Sequence, residues 1–317
     1  MNKKSWLVPI MVFILSLSAL IFYQKGHDNI SLATTLDITP NVWSLSSTDI
    51  RKVGYGDKGV WQAAVKENGV WTLPYNDNKL ADELYIYSII GNFAQPALEV
   101  VDTHADADLE KYGITESSST VILYDNNGEE YALIRGNSAS STTTYVYCKL
   151  NHTVYTIPSN VFDGLDSSES TWRSKQLFEC NFDNISKISF AYKSIHATLL
   201  SQTSDNENIT FVSEDINDDL ANEFVHFLQT SKIEQFITDD ADAHVKEVYG
   251  FNTPALKCTI YTNDGNTFSL VIGAINKDEN ICYASINNSN NIVAIPYFDF
   301  SIFSSLYATL EENNNLL

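Results

Sequence analysis

Basic side chains are scarce in this chain: 19 Lys and Arg stand against 40 Asp and Glu, a formal charge of −21 over 317 residues. A phosphate-neutralising face needs clustered cations, so nucleic acid is excluded as a partner. Cysteine is also sparse. Cys148, Cys180, Cys258 and Cys282 are spaced by 32, 78 and 24 residues, which matches no C-x-x-C or zinc pattern and leaves three disulfide pairings open. Three of them fall in apolar strand-like runs, where a buried thiol is expected. Catalytic signatures are missing too: there is no G-x-S-x-G, no H-E-x-x-H and no P-loop. The histidines (His27, His104, His152, His196, His226, His244) are scattered, with His226 expected to be partly buried on a helix. The chain is nevertheless 44% hydrophobic, enough to bury a core rather than remain disordered.

One long apolar run is present. Trp6 to Tyr23 carries no charge, follows Lys3 and Lys4, and has an aromatic residue at each end. At ~1.5 Å per residue it spans roughly 27 Å, close to a bilayer core of about 30 Å. The run continues past Ser16 and Ser18, the small residues a signal-peptide cut would use, so an uncleaved anchor is expected over residues 1–27. The lysines place the amino terminus inside and everything after His27 outside the cell membrane.

The rest of the chain repeats itself. Asp49-Ile-Arg-Lys-Val53 reads like Asn184-Ile-Ser-Lys-Ile188, Leu80-Ala81 like Leu220-Ala221, Glu110-Lys-Tyr-Gly113 like Glu247-Val-Tyr-Gly250, and Asn126-Asn-Gly128 like Asn263-Asp-Gly265. Gly136 matches Gly273, Tyr147 answers Tyr283, and Thr156-Ile-Pro158 answers Ala294-Ile-Pro296, all at offsets of 135–140. Each copy opens with short strands and continues with a helix. Leu220, Phe224, Phe227 and Leu228 form one helical face, and Leu80, Leu84 and Tyr87 are its expected counterpart. A short acid-capped helix ending at Tyr-Gly follows, then a hairpin around Asn-Gly or Asp-Gly. Two more strands and an amphipathic helix (Asn160 to Leu165; Phe298 to Leu310) close each unit. Strands and helices mix without βαβ alternation, so the expected fold is α+β: a transmembrane helix, then two tandem antiparallel units at 40–165 and 171–312, joined by the polar linker Asp166-Ser-Ser-Glu-Ser170.

Three constellations invite a chemical reading. Gly54-Tyr-Gly-Asp-Lys-Gly59 satisfies G-x-G-x-x-G, but a β-like segment follows instead of a helix, so a hairpin turn is expected and no cofactor. Asp102, His104, Asp106 and Asp108, echoed by Asp239, Asp240, Asp242 and His244, are expected to cap short helices; a weak divalent-cation site is the rival reading. Trp43, Trp61, Trp71 and Trp172 suit a core better than a sugar-binding groove. What the copies share is apolar residues, glycines, prolines and turns. That is architecture.

The string Gly69-Val-Trp-Thr-Leu73, then Ala81-Asp82-Glu83, Asp108-Leu-Glu-Lys-Tyr-Gly-Ile114 and the hairpin ending at Gly136 resembles the bacterial family called domain of unknown function 4340. Tyr145-Val-Tyr147, Val154-Tyr155 and Trp172-Arg-Ser-Lys-Gln-Leu177 continue the pattern, over about residues 43 to 310. A proline usually follows the Tyr-Gly turn in that family; here Pro254 supplies it in the second copy and Thr115 to Ser118 lacks it. The resemblance implies one amino-terminal anchor, export, and genes beside an ABC-2-type transporter and gliding-motility-like auxiliary proteins. It implies no catalytic residues. The expected function is therefore a non-enzymatic, extracytoplasmic accessory protein of an envelope ABC-type transporter, with a glycan- or cation-binding module as the alternative.

Overall fold

The computed structural model describes residues 42–103, 108–203 and 209–314. The expected anchor over Trp6 to Tyr23 lies outside these residues. Among the described residues no helix is long and apolar enough to cross a membrane.

The fold is α+β and contains two antiparallel sheets. The first is built from β1 (Ile50–Asp57), β2 (Val60–Glu67), β3 (Val70–Leu73), β4 (Lys79–Leu80), β5 (Glu99–Asp102), β6 (Thr120–Asp125), β7 (Glu130–Ser138), β8 (Thr143–Cys148) and β9 (Thr153–Pro158). Their spatial order is β4-β3-β2-β1-β6-β7-β8-β9-β5. The second holds β10 (Ile185–Tyr192), β11 (Ile195–Thr203), β12 (Ile209–Val212), β13 (Gln235–Thr238), β14 (Leu256–Thr262), β15 (Thr267–Asn276), β16 (Ile281–Ile286) and β17 (Ile292–Pro296), in the order β12-β11-β10-β14-β15-β16-β17-β13. With β4 set aside, the two orders coincide strand for strand. By compactness the chain divides into one unit of residues 42–63 with 87–166 and another of 64–86 with 167–314.

The sequence repeat has local physical causes. Both first strands carry a bulge at the same place, between Ile50 and Lys52 and between Ile185 and Lys187. The bulged lysine lies over a tyrosine ring of the neighbouring strand in each, Lys52 over Tyr124 at 4.8 Å and Lys187 over Tyr261 at 4.1 Å. Gly113 and Gly250 both adopt positive φ (71° and 81°) after their tyrosines. Gly136 and Gly273 are needed for a different reason. A Cβ on either would stand 2.3 Å from the carbonyl oxygen of Tyr112 or Tyr249. Trp43 packs edge-on against Tyr131 as Phe178 does against Phe268, an aromatic pair not evident from the sequence.

Several expectations are corrected. Tyr283 lies opposite Ala294, and its ring packs on Tyr249 at 4.6 Å; the residue that does this in the first sheet, opposite Thr156 and against Tyr112 at 5.1 Å, is Tyr145 and not Tyr147. Leu80 lies in β4, and α1 (Glu83–Phe93) begins after Asp82, whose Oδ1 accepts from the Tyr85 amide. Asn217 does the same for Leu220 at the start of α3 (Asp218–Thr230), so the caps align Asp82 with Asn217. The buried face of α1 is accordingly Ile86, Ile89, Ile90 and Phe93, whereas Leu84 is 84% exposed. On α3 the face Leu220, Phe224, Phe227 and Leu228 is buried as expected. Asn160 to Leu165 is not an amphipathic helix but a single 3₁₀ turn, Ser159–Phe162. It buries Phe162 against Phe93, and Gly164 at φ 77° turns the chain away. Strands β5 and β13 were not foreseen, because short edge strands are held by backbone pairing with β9 and β17 rather than by an apolar run.

In the second unit the core is aromatic. Phe224 of α3 meets Phe190 of β10 at 4.0 Å and Phe303 of α5 (Tyr297–Asn314) at 4.9 Å. Both helices thereby cover one face of the second sheet. The same unit contains a hydrogen-bonded ribbon through the expected linker. α2 (Glu169–Trp172) occupies it, then Ser174 N donates to Leu80 O (2.8 Å) and Ile233 N to Lys175 O (2.7 Å). The extended segment 173–176 is thus held from both sides.

Candidate functional site

The ribbon assembles four charged side chains that are far apart in sequence. Lys79 Nζ bonds Glu169 Oε1 at 2.8 Å and Asp239 Oδ2 at 2.5 Å. Arg173 Nη1 bonds Asp239 Oδ1 at 2.8 Å and lies 3.9 Å from Glu169 Oε1. Asn76 donates to the second Glu169 oxygen at 2.8 Å, and the Arg173 guanidinium stacks 4.0 Å over Phe236 of β13. Arg173 is 8% exposed, so its charge needs this enclosure. Burial works against the charge on Lys79, but bonds to Asp239 and Glu169 outweigh it and hold its pKa above the usual lysine value. Burial would likewise raise Asp239, yet Lys79 and Arg173 hold its carboxyl below the usual range.

The signs give a pH window. A depressed acid contributes stability above its unfolded value, about 3.9, and loses it as pH falls through the folded value. A raised lysine contributes below its unfolded value, about 10.4, and loses it as pH rises through the folded one. The stability difference between the wild type and a Lys79→Met/Asp239→Asn variant should therefore be flat from about pH 5 to about pH 10 and shrink on either side. Urea-unfolding midpoints across pH measure it; a difference independent of pH from 2 to 12 (about the range of both groups) would refute the assignment.

Beside the network runs a groove of about 660 Å³, lined by Val70, Trp71, Leu84, Lys175, Glu179 and Lys232 among others. Burial in this concave surface and the charge of Glu83 push the Glu179 carboxyl above its usual pKa.

The acidic clusters divide among structural tasks. Asp239 belongs to the ion network. Asp242 Oδ1 accepts from Val245 N at 2.8 Å and caps α4 (Ala243–Val248), as expected. Asp108 precedes the 3₁₀ turn Leu109–Tyr112 but makes no side-chain cap bond. Asp102 accepts instead from Tyr112 Oη (2.8 Å) and Lys111 Nζ (3.1 Å). Asp240 and His244 are exposed, and His104 and Asp106 lie outside the described residues. Among the described residues no three His, Cys, Asp or Glu converge as a metal would require.

The remaining candidates are placed as follows. Trp43, Trp71 and Trp172 are buried, and Trp61 is half exposed over Gly56. The G-x-G-x-x-G string is the β1–β2 hairpin, its turn formed by Lys58 (φ 48°) and Gly59 (φ 83°). His226 is exposed on α3 rather than partly buried, because the preceding aromatic face turns away from it. All four cysteines are free. Burial pushes the Cys282 thiol up to about 12 and Cys258 higher, which makes both poor nucleophiles.

Two antiparallel sheets of matching strand order, each with a long helix inserted after its first three shared strands, define an α+β protein whose shared residues serve turns, bulges and caps. The chain belongs to the family described as Domain of unknown function (DUF4340), whose model matches residues 71–246, more than half of its length. Lys79, Glu169, Arg173 and Asp239 all fall within that stretch. No curated protein and no solved structure matches the chain.

Proposed function

We propose that this is a non-enzymatic, membrane-anchored accessory protein whose two α+β units are tandem copies of one ancestral unit, exposed outside the cell membrane and docked on an ABC-type transporter complex of the envelope. One observation carries the reading: the residues repeated between the two sheets are structural. They are the bulge with its Lys–Tyr contact, the αL glycines, the close-approach glycines and the helix caps. A duplicated catalytic site would repeat polar side chains around a pocket. The anchor is Trp6 to Tyr23, and the partner class is what the family resemblance implies. Trp43, Trp71 and Trp172, which a glycan module would display, are in the core. Affinity purification of the full-length tagged chain in mild detergent should recover permease and auxiliary subunits. A single-protein preparation from cells expressing the transporter would refute the reading.

A further inference from the structure

The repeat separates what the architecture demands from what it leaves free. Where the two sheets share a residue, it serves a turn, a bulge or a cap; where they differ, another requirement can act. In the unit of residues 64–86 and 167–314, differing positions collect around one groove of about 520 Å³. Asn287, whose main-chain N–H donates to Ser269 O, stands where the first sheet has Lys149 donating to Ala132 O. Asn291 precedes the Ile292 that pairs with Thr238, so its counterpart is Thr153, which precedes Val154 and its partner Asp102. Phe236 opposite Val293 replaces Val100 opposite Tyr155. Asn78 of the β3–β4 turn, Gln176 of the extended segment and Phe268 line the same groove.

The groove is polar with little free charge. On a chain with 40 carboxylates, most of its hydrogen-bonding side chains are amides and serine hydroxyls. Those of Asn78, Gln176 and Asn291 make no hydrogen bond among the described residues. Lys79 and Arg173 border the groove, but Glu169 and Asp239 consume their charges. Glu179 also lines it, without an ion-pair partner among the described residues, and would repel an anion. The main chain beside it is already paired, Ile233 N with Lys175 O and Glu234 N with Ala294 O, so the free donors and acceptors are side-chain amides. A primary amide presents a donor and an acceptor side by side, which matches two neighbouring hydroxyls of a sugar ring. Phe236, held in place by the Arg173 guanidinium stacked on it, and Phe268 supply the apolar floor that the C–H face of such a ring covers.

We propose that this groove binds a neutral oligosaccharide, with Asn78, Gln176 and Asn291 hydrogen-bonded to ring hydroxyls and Phe236 beneath the ring. Amides and phenylalanine do here what the buried Trp43, Trp71 and Trp172 do not. The proposal goes beyond the accessory role and does not depend on it.

Calorimetric titration of the full-length chain, in a detergent without a sugar headgroup, tests it. The probes are cellotetraose, triacetylchitotriose and, as the anionic control, tetragalacturonate. A neutral probe should bind at one site with a Kd of about 1 mM or tighter, and the control at least about tenfold more weakly. Replacing both Gln176 and Asn291 by alanine should weaken binding about tenfold and leave the melting temperature unchanged, because neither side chain bonds to the protein. Asn78→Gly keeps the left-handed turn (φ 55°) and removes only the amide, so it should weaken binding about threefold to tenfold. Asn222→Ala, exposed on α3, should change neither affinity nor melting temperature. Silence with both neutral probes overturns the proposal, as does equal binding of galacturonate or binding that survives the double variant and Asn78→Gly. Recovery of transporter subunits alongside any of these results leaves the accessory role standing. Binding that follows the variants, without any recovered subunit, supports the groove and removes the accessory role.

Discussion

Replacing Arg173 by methionine should destabilise the chain by about 2–3 kcal/mol. Methionine keeps the length of the buried stem, so the loss is that of the charge and its plane. Removing one member of a buried pair typically costs about 3–5 kcal/mol because the other charge is stranded. Here Asp239 and Glu169 keep side-chain exposures of 41% and 36%, so water softens the loss. The guanidinium also stacks on Phe236 at 4.0 Å, a contact worth about 1 kcal/mol in a desolvated setting. Asp239→Asn alone should cost less, since Glu169 still faces both cations. In the double variant the two effects should fall short of their sum by about 1 kcal/mol or more, because they break one shared interaction. Urea unfolding of the four proteins measures this; strict additivity would mean that the pair is a surface contact of no consequence.

Gly273→Ala should cost about 3–4 kcal/mol and Gly136→Ala about 2–3 kcal/mol. In both, the new methyl would stand 2.3 Å from a carbonyl oxygen, well inside van der Waals contact, and backbone cannot swing aside as a side chain would. At Gly273 the threatened carbonyl, Tyr249 O, also accepts from Ala274 N at 2.7 Å, so relief of the clash breaks a hydrogen bond. Gly265→Ala is the matched control. It has positive φ (87°) but open space, so backbone strain alone should cost about 1–2 kcal/mol. Melting temperatures of the three variants check the order. A Gly273→Ala protein as stable as Gly265→Ala would show that the β15 backbone has slack at this point.

The paired glycines illustrate how much was legible beforehand. An exact offset of 137 at Gly113, Gly128 and Gly136 could be read from the chain, but two different causes lie behind it. Gly113 and Gly128 answer to positive φ, which is local. Gly136 answers to a carbonyl that arrives from another segment. The turn at Lys58-Gly59 was legible because a two-residue hairpin loop is decided by its own dihedrals. The α1 register was not. Leu80, Leu84 and Tyr87 fit helical spacing as well as the true face does, and an apolar residue on the outer surface misleads any periodicity argument.

The ion network is the clearest case of what could not be read. Lys79, Glu169, Arg173 and Asp239 span 160 residues, and each looked ordinary in its neighbourhood: a turn lysine, a linker glutamate, an arginine after Trp172, one aspartate of an acidic cluster. With 40 acids open to 19 cations, sequence alone does not pair them.

By itself the sequence determined the α+β class, the two matching runs of strands, their hairpin turns and the burial of α3, because dihedral preference and hydrophobic period act over neighbouring residues. The tertiary structure decided which acids are neutralised, which face of α1 is buried, and where segment 173–176 is held. Those outcomes depend on contacts between segments far apart in the chain, and Coulomb attraction and packing recognise distance in space alone.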